Sequence, residues 1–172
     1  QWDIWRRLLA EYYFAAKAIR EQFLRELASQ GKLRDALQTA QTKDGLPYRL
    51  FRADAAAWLS QYEDAVAAYR ELNRLYPNTP EFAERLISFT RSFGQKELPA
   101  LQEAAQTQQA LADALPASDI YRTTAGELQA ELGDYRRAAV HWEQLLKLGA
   151  GDAEVYLNTA TVYWDYFQYE DA

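Results

Sequence analysis

The chain has 172 residues, with 19 basic against 25 acidic groups for a net charge of −6, and it contains no Cys, no Met and a single His. These counts exclude a disulfide framework, a thiolate metal site, a cysteine nucleophile and a multi-histidine metal centre. A pI near 4.9 argues against non-specific binding to nucleic acid or to an anionic membrane, and the length suits one domain or one short repeat array with a real core.

Apolar residues recur at helical spacing from the start: Leu8, Tyr12, Ala15, Ala16, Ile19, Phe23 and Leu27 predict a helix over 2–30. Gly31 suits its C-terminal turn. Helices are then expected over 33–42, 47–59 and 62–76, separated by Lys43-Asp44-Gly45 and a short turn before Tyr62. Pro77-Asn78-Thr79-Pro80 is a break, with Thr79 placed to cap and Pro80 at the first position of a helix over 80–93. Further helices are expected over 99–114, 119–132, 135–148 and 153–166. No segment alternates with a period of two, so no sheet is expected, and no run of about 18 apolar residues could span a bilayer. The mean hydropathy of −0.48 is that of a soluble chain. With no initiating Met and no leader pattern, a longer parent chain is expected.

Internal similarity organises these helices. Leu33-Arg34-Asp35-Ala36, Tyr62-Glu63-Asp64-Ala65, Tyr135-Arg136-Arg137-Ala138 and Tyr169-Glu170-Asp171-Ala172 each follow a turn and open a helix with an apolar residue three before an Ala. Ala36 and Ala65 are 29 residues apart, Ala65 and Ala138 are 73 apart, and Ala138 and Ala172 are 34 apart. A period near 34 with helix–turn–helix units points to a helical repeat array. The units are 17–45, 46–79, 80–117, 119–152 and a truncated 153–172, with 1–16 as a leading helix.

On these residues the chain resembles the tetratricopeptide repeat (TPR) family, over about 155 of its residues. In unit 46–79, Ala53 fills the small position, Tyr62, Ala65 and Tyr69 follow, and Pro77 closes the unit. In unit 119–152, Gly126 is the small residue, followed by Gly133-Asp134-Tyr135, Ala138 and Trp142, with Ala150 where Pro is usual. Tyr156, Ala160 and Tyr163 match the first helix of the last unit. Unit 17–45 is short, and in unit 80–117 Lys96 replaces the usual Tyr and an insertion precedes Pro116. The resemblance implies an all-α, right-handed α-solenoid of stacked helical pairs. The small residues let paired helices approach, while Tyr69 and Trp142 fill the space between them.

Little in the sequence carries catalysis. His141 is expected as a structural helical residue, no nucleophile partners it, and no glycine-rich phosphate loop occurs. No catalytic, cofactor or metal site is expected, and the chain is read as not an enzyme. The resemblance implies instead a concave face lined by the first helices, which in that family binds a peptide or a helix. Its residues here would be Leu50, Asp54, Ala57 and Trp58, then Glu81, Glu84, Ser88 and Arg91, then Thr123, Glu127, Ala130 and Glu131, then Leu157, Thr161, Trp164 and Asp165.

That lining is mainly acidic with Trp58 and Trp164 as anchors, so a basic or amphipathic protein segment is the expected partner. Residues 87–172 hold 6 basic and 13 acidic groups, which makes the C-terminal half the acidic one. A tail carboxylate is not an expected ligand, because the face offers Asp54, Glu84, Ser88 and Glu127 rather than Lys and Asn. The aromatic ends, Trp2 and Trp5 and the run from Tyr163 to Tyr169, raise self-association as a second reading. A spacer, or a helical accessory domain of a larger enzyme, is the structural alternative. The absence of cysteine fits a cytoplasmic or a bacterial periplasmic location equally.

Overall fold

The structure, a computed structural model, describes residue 9 and residues 11–77, 79–94, 98–149 and 153–165. The described residues form nine α-helices and one 3-10 turn, with no strand among them. The helices are α1 (Lys17–Ser29), α2 (Leu33–Gln41), α3 (Leu46–Trp58), α4 (Tyr62–Leu75), α5 (Pro80–Gly94), α6 (Leu98–Ala114), α7 (Asp119–Glu131), α8 (Tyr135–Leu148) and α9 (Ala153–Asp165). Each expected helix from 33 onward is present within a residue or so at each described end.

The first expected helix is different. Of the leading stretch, Tyr12–Phe14 forms a 3-10 turn, and Ala15 and Ala16 are extended, with ψ of 141° and 148°. A continuous helix would set Tyr12 and Phe23 about 16 Å apart along its axis. The break instead brings their rings to 5.9 Å, so burial of Tyr12 outweighs helical continuity. Residues 1–8 and 10 of that expected helix lie outside the described residues.

The chain divides into two compact units, Gln1–Phe89 and Thr90–Ala172. In the first, α3 pairs extensively with α4 and packs on α2. Its core joins Phe23 and Leu27 of α1, Leu33 and Ala36 of α2, Leu50, Phe51 and Ala53 of α3, Tyr69 and Leu72 of α4, and Phe82 and Leu86 of α5. Arg52 staples α2 to α3 by donating from Nη1 to the Ala40 and Lys43 carbonyls at 2.7 and 3.0 Å, where the C-terminal end of α2 is rich in unpaired acceptors.

In the second unit, α7 pairs with α8 and packs on α6, and α9 packs on α8. Its core includes Ala138, Trp142, Leu145 and Tyr163, with the Trp142 and Tyr163 rings edge to face at 5.0 Å. A Cβ at Gly126 would lie 2.3 Å from Trp142 Nε1, so the missing side chain is what admits the indole between α7 and α8.

The turn inside a helical pair is the same structure three times. Lys32, Gln61 and Asp134 each donate a backbone N–H to the carbonyl five residues back, Leu27, Ala56 and Gln129, at 2.8, 2.9 and 2.9 Å. The residue before each is left-handed: Gly31 at φ 68°, Ser60 at 59° and Gly133 at 79°. This Schellman-type closure ends the first helix and aims the second back along it. Ala36, Ala65 and Ala138, four residues beyond each donor, are buried in the joint. The opening tetrapeptides therefore mark a repeated physical unit. Ala172, the fourth member of that set, lies outside the described residues.

Candidate functional site

In the first unit, the first helices α1, α3 and α5 surround a charged network. Arg20 of α1 is 4% exposed, with its Nε 3.7 Å from Asp54 Oδ2 and its Nη2 donating to Glu81 of α5. Asp54 accepts from the Tyr12 hydroxyl at 2.8 Å on Oδ2 and from the Tyr69 hydroxyl on Oδ1. Burial first, and the Asp54 charge second, push both phenols well above the ordinary tyrosine range, so they remain protonated donors. Beside the network lies a cavity of about 210 Å³, lined among others by Lys17, Asp54, Ala57, Trp58 and Arg85. Trp58 forms its exposed wall, at 41%. Arg85 reaches Glu21 at 3.7 Å.

In the second unit, Arg91 at the end of α5 pairs with Glu131 of α7. Glu127, one turn earlier on α7, has its carboxyl held above the ordinary range, first by burial and then by the Glu131 charge, against the pull of Arg91. On α9, Leu157 is 67% exposed and Trp164 60% exposed. Thr161 and Asp165 are also exposed, and the Thr161 hydroxyl donates to the Leu157 carbonyl. Behind α7, buried Arg122 donates to Gln144 of α8 and, at 3.0 Å, to the Ala112 carbonyl of α6. His141 of α8 is buried with its Nε2 2.8 Å from Gln109 Oε1. Burial and the Arg122 charge both lower its proton affinity, against Asp113.

No family model matches the chain, and neither does any curated sequence. Solved structures do resemble it. MamA is similar at 12% identity over 85% of this chain and 85% of that one, with a TM-score of 0.58. A thermophilic TPR protein of Thermus thermophilus is similar at 16% identity over 87% of this chain and 82% of that one, with a TM-score of 0.52. The fold is a TPR-like helical repeat. At these identities the likeness establishes the fold.

Set on that TPR-like frame, the expected face residues separate. Asp54, Ala57 and Trp58 line one cavity, and Glu84 and Ser88 are exposed on α5. Arg91 and Glu131 are joined, Thr123 and Glu127 are half-buried, and Leu157, Thr161, Trp164 and Asp165 are exposed. Two expectations need correction. Leu50 is wholly buried in the core cluster that contains Tyr12, Phe23 and Phe51, and Ala130 is buried in the α7–α8 core, so neither offers a side chain to a ligand. Asp54 is also not a free anion, because two phenols and Arg20 occupy it.

The cavity of the first unit also carries cations that were not among the expected face residues. Lys17, Arg20 and Arg85 line it beside Glu21 and Asp54, with Glu81 paired to Arg20. The signal was present in the spacing of Lys17 and Arg20, one turn apart on α1, but the expected face began at α3. The Tyr12 and Tyr69 contacts to Asp54 carry no sequence signature. Among the described residues no group of three or more His, Asp or Glu side chains could hold a metal ion, and no helix is long and apolar enough to cross a membrane. In the terminal aromatic run, Tyr163 packs on Trp142. Trp2, Trp5 and residues 166–169 lie outside the described residues.

Proposed function

We propose that the chain is a non-enzymatic protein-interaction module that holds a segment of a partner protein against the faces of its first helices. The observation that carries this reading is Trp58. It stands 41% exposed in the lining of a cavity where Arg20 is paired with Asp54 and Arg85 with Glu21. A large exposed aromatic ring beside side chains held in place by ion pairs is the arrangement of an interface anchor. The face of the second unit supports a basic or amphipathic segment as its ligand. Glu127, Glu131 and Asp165 oppose the single cation Arg91 among the residues assigned to that face, with Leu157 and Trp164 as its apolar contacts. Nucleic acid is not the proposed ligand, because these same carboxylates would repel phosphate.

The reading is tested by comparing capture of partners by the wild type with Trp58→Ala and Glu127→Lys, each checked for native helix content by circular dichroism. Loss of a partner from folded variants supports it. Unchanged capture by both variants rejects it. Self-assembly is the second reading, favoured by the exposure of Tyr156, Leu157 and Trp164 together on α9. Sedimentation at rising concentration separates the two: a strict monomer excludes self-assembly and leaves the interaction reading standing.

A further inference from the structure

The part of α3 that should lie open to a ligand is covered by the chain itself. The 3-10 turn Tyr12–Phe14 packs on α3. The Tyr12 ring is edge-on to Phe51 of α3 at 5.3 Å and 5.9 Å from Phe23 of α1, with the Arg20 guanidinium 5.9 Å from its centroid. Its hydroxyl donates to Asp54 Oδ2 at 2.8 Å. The neighbouring Tyr13 ring lies 6.4 Å from Phe82 of α5. One short turn therefore touches all three first helices of its unit, and Leu50 and Asp54 are both enclosed in that unit rather than exposed on a face.

Two further features describe a strap rather than an integral helix. Ala15 and Ala16 are extended, so the turn can lift without unwinding α1, and Arg20 Nη1 ties it by donating to the Ala15 carbonyl at 3.0 Å. Beneath it part of the network is held by other elements. Asp54 Oδ1 is held by Tyr69, Arg20 is held by Glu81, and lifting Tyr12 frees Oδ2, 3.7 Å from Arg20 Nε, to accept from another hydroxyl beside the core cluster of Phe23, Phe51 and Phe82.

Resting on the reading of this face as the ligand face, we propose that residues 12–14 occupy it in cis. A partner segment displaces them by presenting a phenol followed by a second aromatic ring, as Tyr12-Tyr13 does. The phenol is read by the Asp54 carboxylate, and the rings by the phenylalanines of α1, α3 and α5.

The probe is a capped synthetic peptide of residues 9–16, titrated into the full-length Tyr12→Ala/Tyr13→Ala variant and into the wild type. The variant should bind the peptide. The wild type should bind it at least about ten-fold more weakly, because a tethered competitor acts at an effective concentration near millimolar. A peptide with Phe in place of the first Tyr should bind the variant about ten-fold more weakly, since it loses a hydrogen bond to a charged acceptor. A folded variant that does not bind the peptide, or that binds it no better than the wild type, overturns the proposal.

Should the variant fail to fold, hydrogen exchange on the wild type decides. The amides of residues 13–16 should exchange through a local opening, faster than those of α3 and α4. Exchange only with global unfolding of the unit overturns the strap. The probe is a piece of the chain, so a failed search for a natural partner counts against the proposed function and not against this result.

Discussion

Gly126→Ala is the sharpest test of how the helical pairs lock. In an exposed helix this change would stabilise by about 1 kcal/mol, because Gly is the poorer helix former by that amount. At this site the new Cβ would lie 2.3 Å from Trp142 Nε1, 2.8 Å from Cδ1 and 3.2 Å from Cε2. Ordinary contact begins near 3.5 Å, so the indole must retreat by about 1 Å. It has nowhere to go, being fully buried and set edge to face against Tyr163. Overpacking of a core side chain costs about 1–3 kcal/mol, and a clash this deep against a buried ring falls at the upper end, about 2–3 kcal/mol, which exceeds the helical gain and leaves a net loss of about 1–2 kcal/mol. Urea unfolding followed by far-UV circular dichroism measures it. Trp142→Ala, which removes the contacting atoms, should cost less in the Gly126→Ala background than in the wild type. A neutral or stabilising Gly126→Ala would refute the close approach of α7 and α8 as the reason for the glycine.

Other perturbations test other parts. Asp54→Ala strands two buried phenols and takes one of two carboxylate partners from Arg20, and should cost roughly 2–5 kcal/mol in urea unfolding of the first unit; a loss under 1 kcal/mol would show the network to be solvated. Ser60→Gly relieves a left-handed backbone at φ 59° and should stabilise by about 1 kcal/mol in thermal or urea unfolding. His141 binds its proton less readily when folded than its ordinary 6.5, through burial and Arg122. The unfolded chain therefore takes up more protons as pH falls below about 6.5, and stability falls with it. The stability difference between the wild type and His141→Gln should shift against the wild type from pH 7 to pH 5, and a difference independent of pH would refute the burial.

The helices were legible because apolar spacing, Gly and Pro are local signals. The repeat was legible because Ala36, Ala65 and Ala138 stand at one position of one recurring turn. Gly126 and Trp142 were legible as a pair from family spacing alone, and the clash distance supplies the reason. The strap was not legible. Tyr12 continues the apolar period of α1, and the contacts it makes outside a continuous helix, its ring with Phe51 and its hydroxyl with Asp54 42 residues away, leave no local signal. The cations around Asp54 were not legible for a related reason. Asp54 looks like a free anion in sequence, and only folding sets Arg20, Tyr12 and Tyr69 upon it.

The central claim is that the first-helix faces bind a partner segment. Its most direct test is photo-crosslinking from a benzophenone amino acid placed at Ala57, beside Trp58, with the same label at Glu103 of α6, a second-helix position, as the control. A discrete protein crosslinked from Ala57, absent from the Glu103 control and lost when Trp58→Ala is added, is the expected result. Equal crosslinking from both positions, or crosslinking from Ala57 that survives Trp58→Ala in a folded chain, would contradict it.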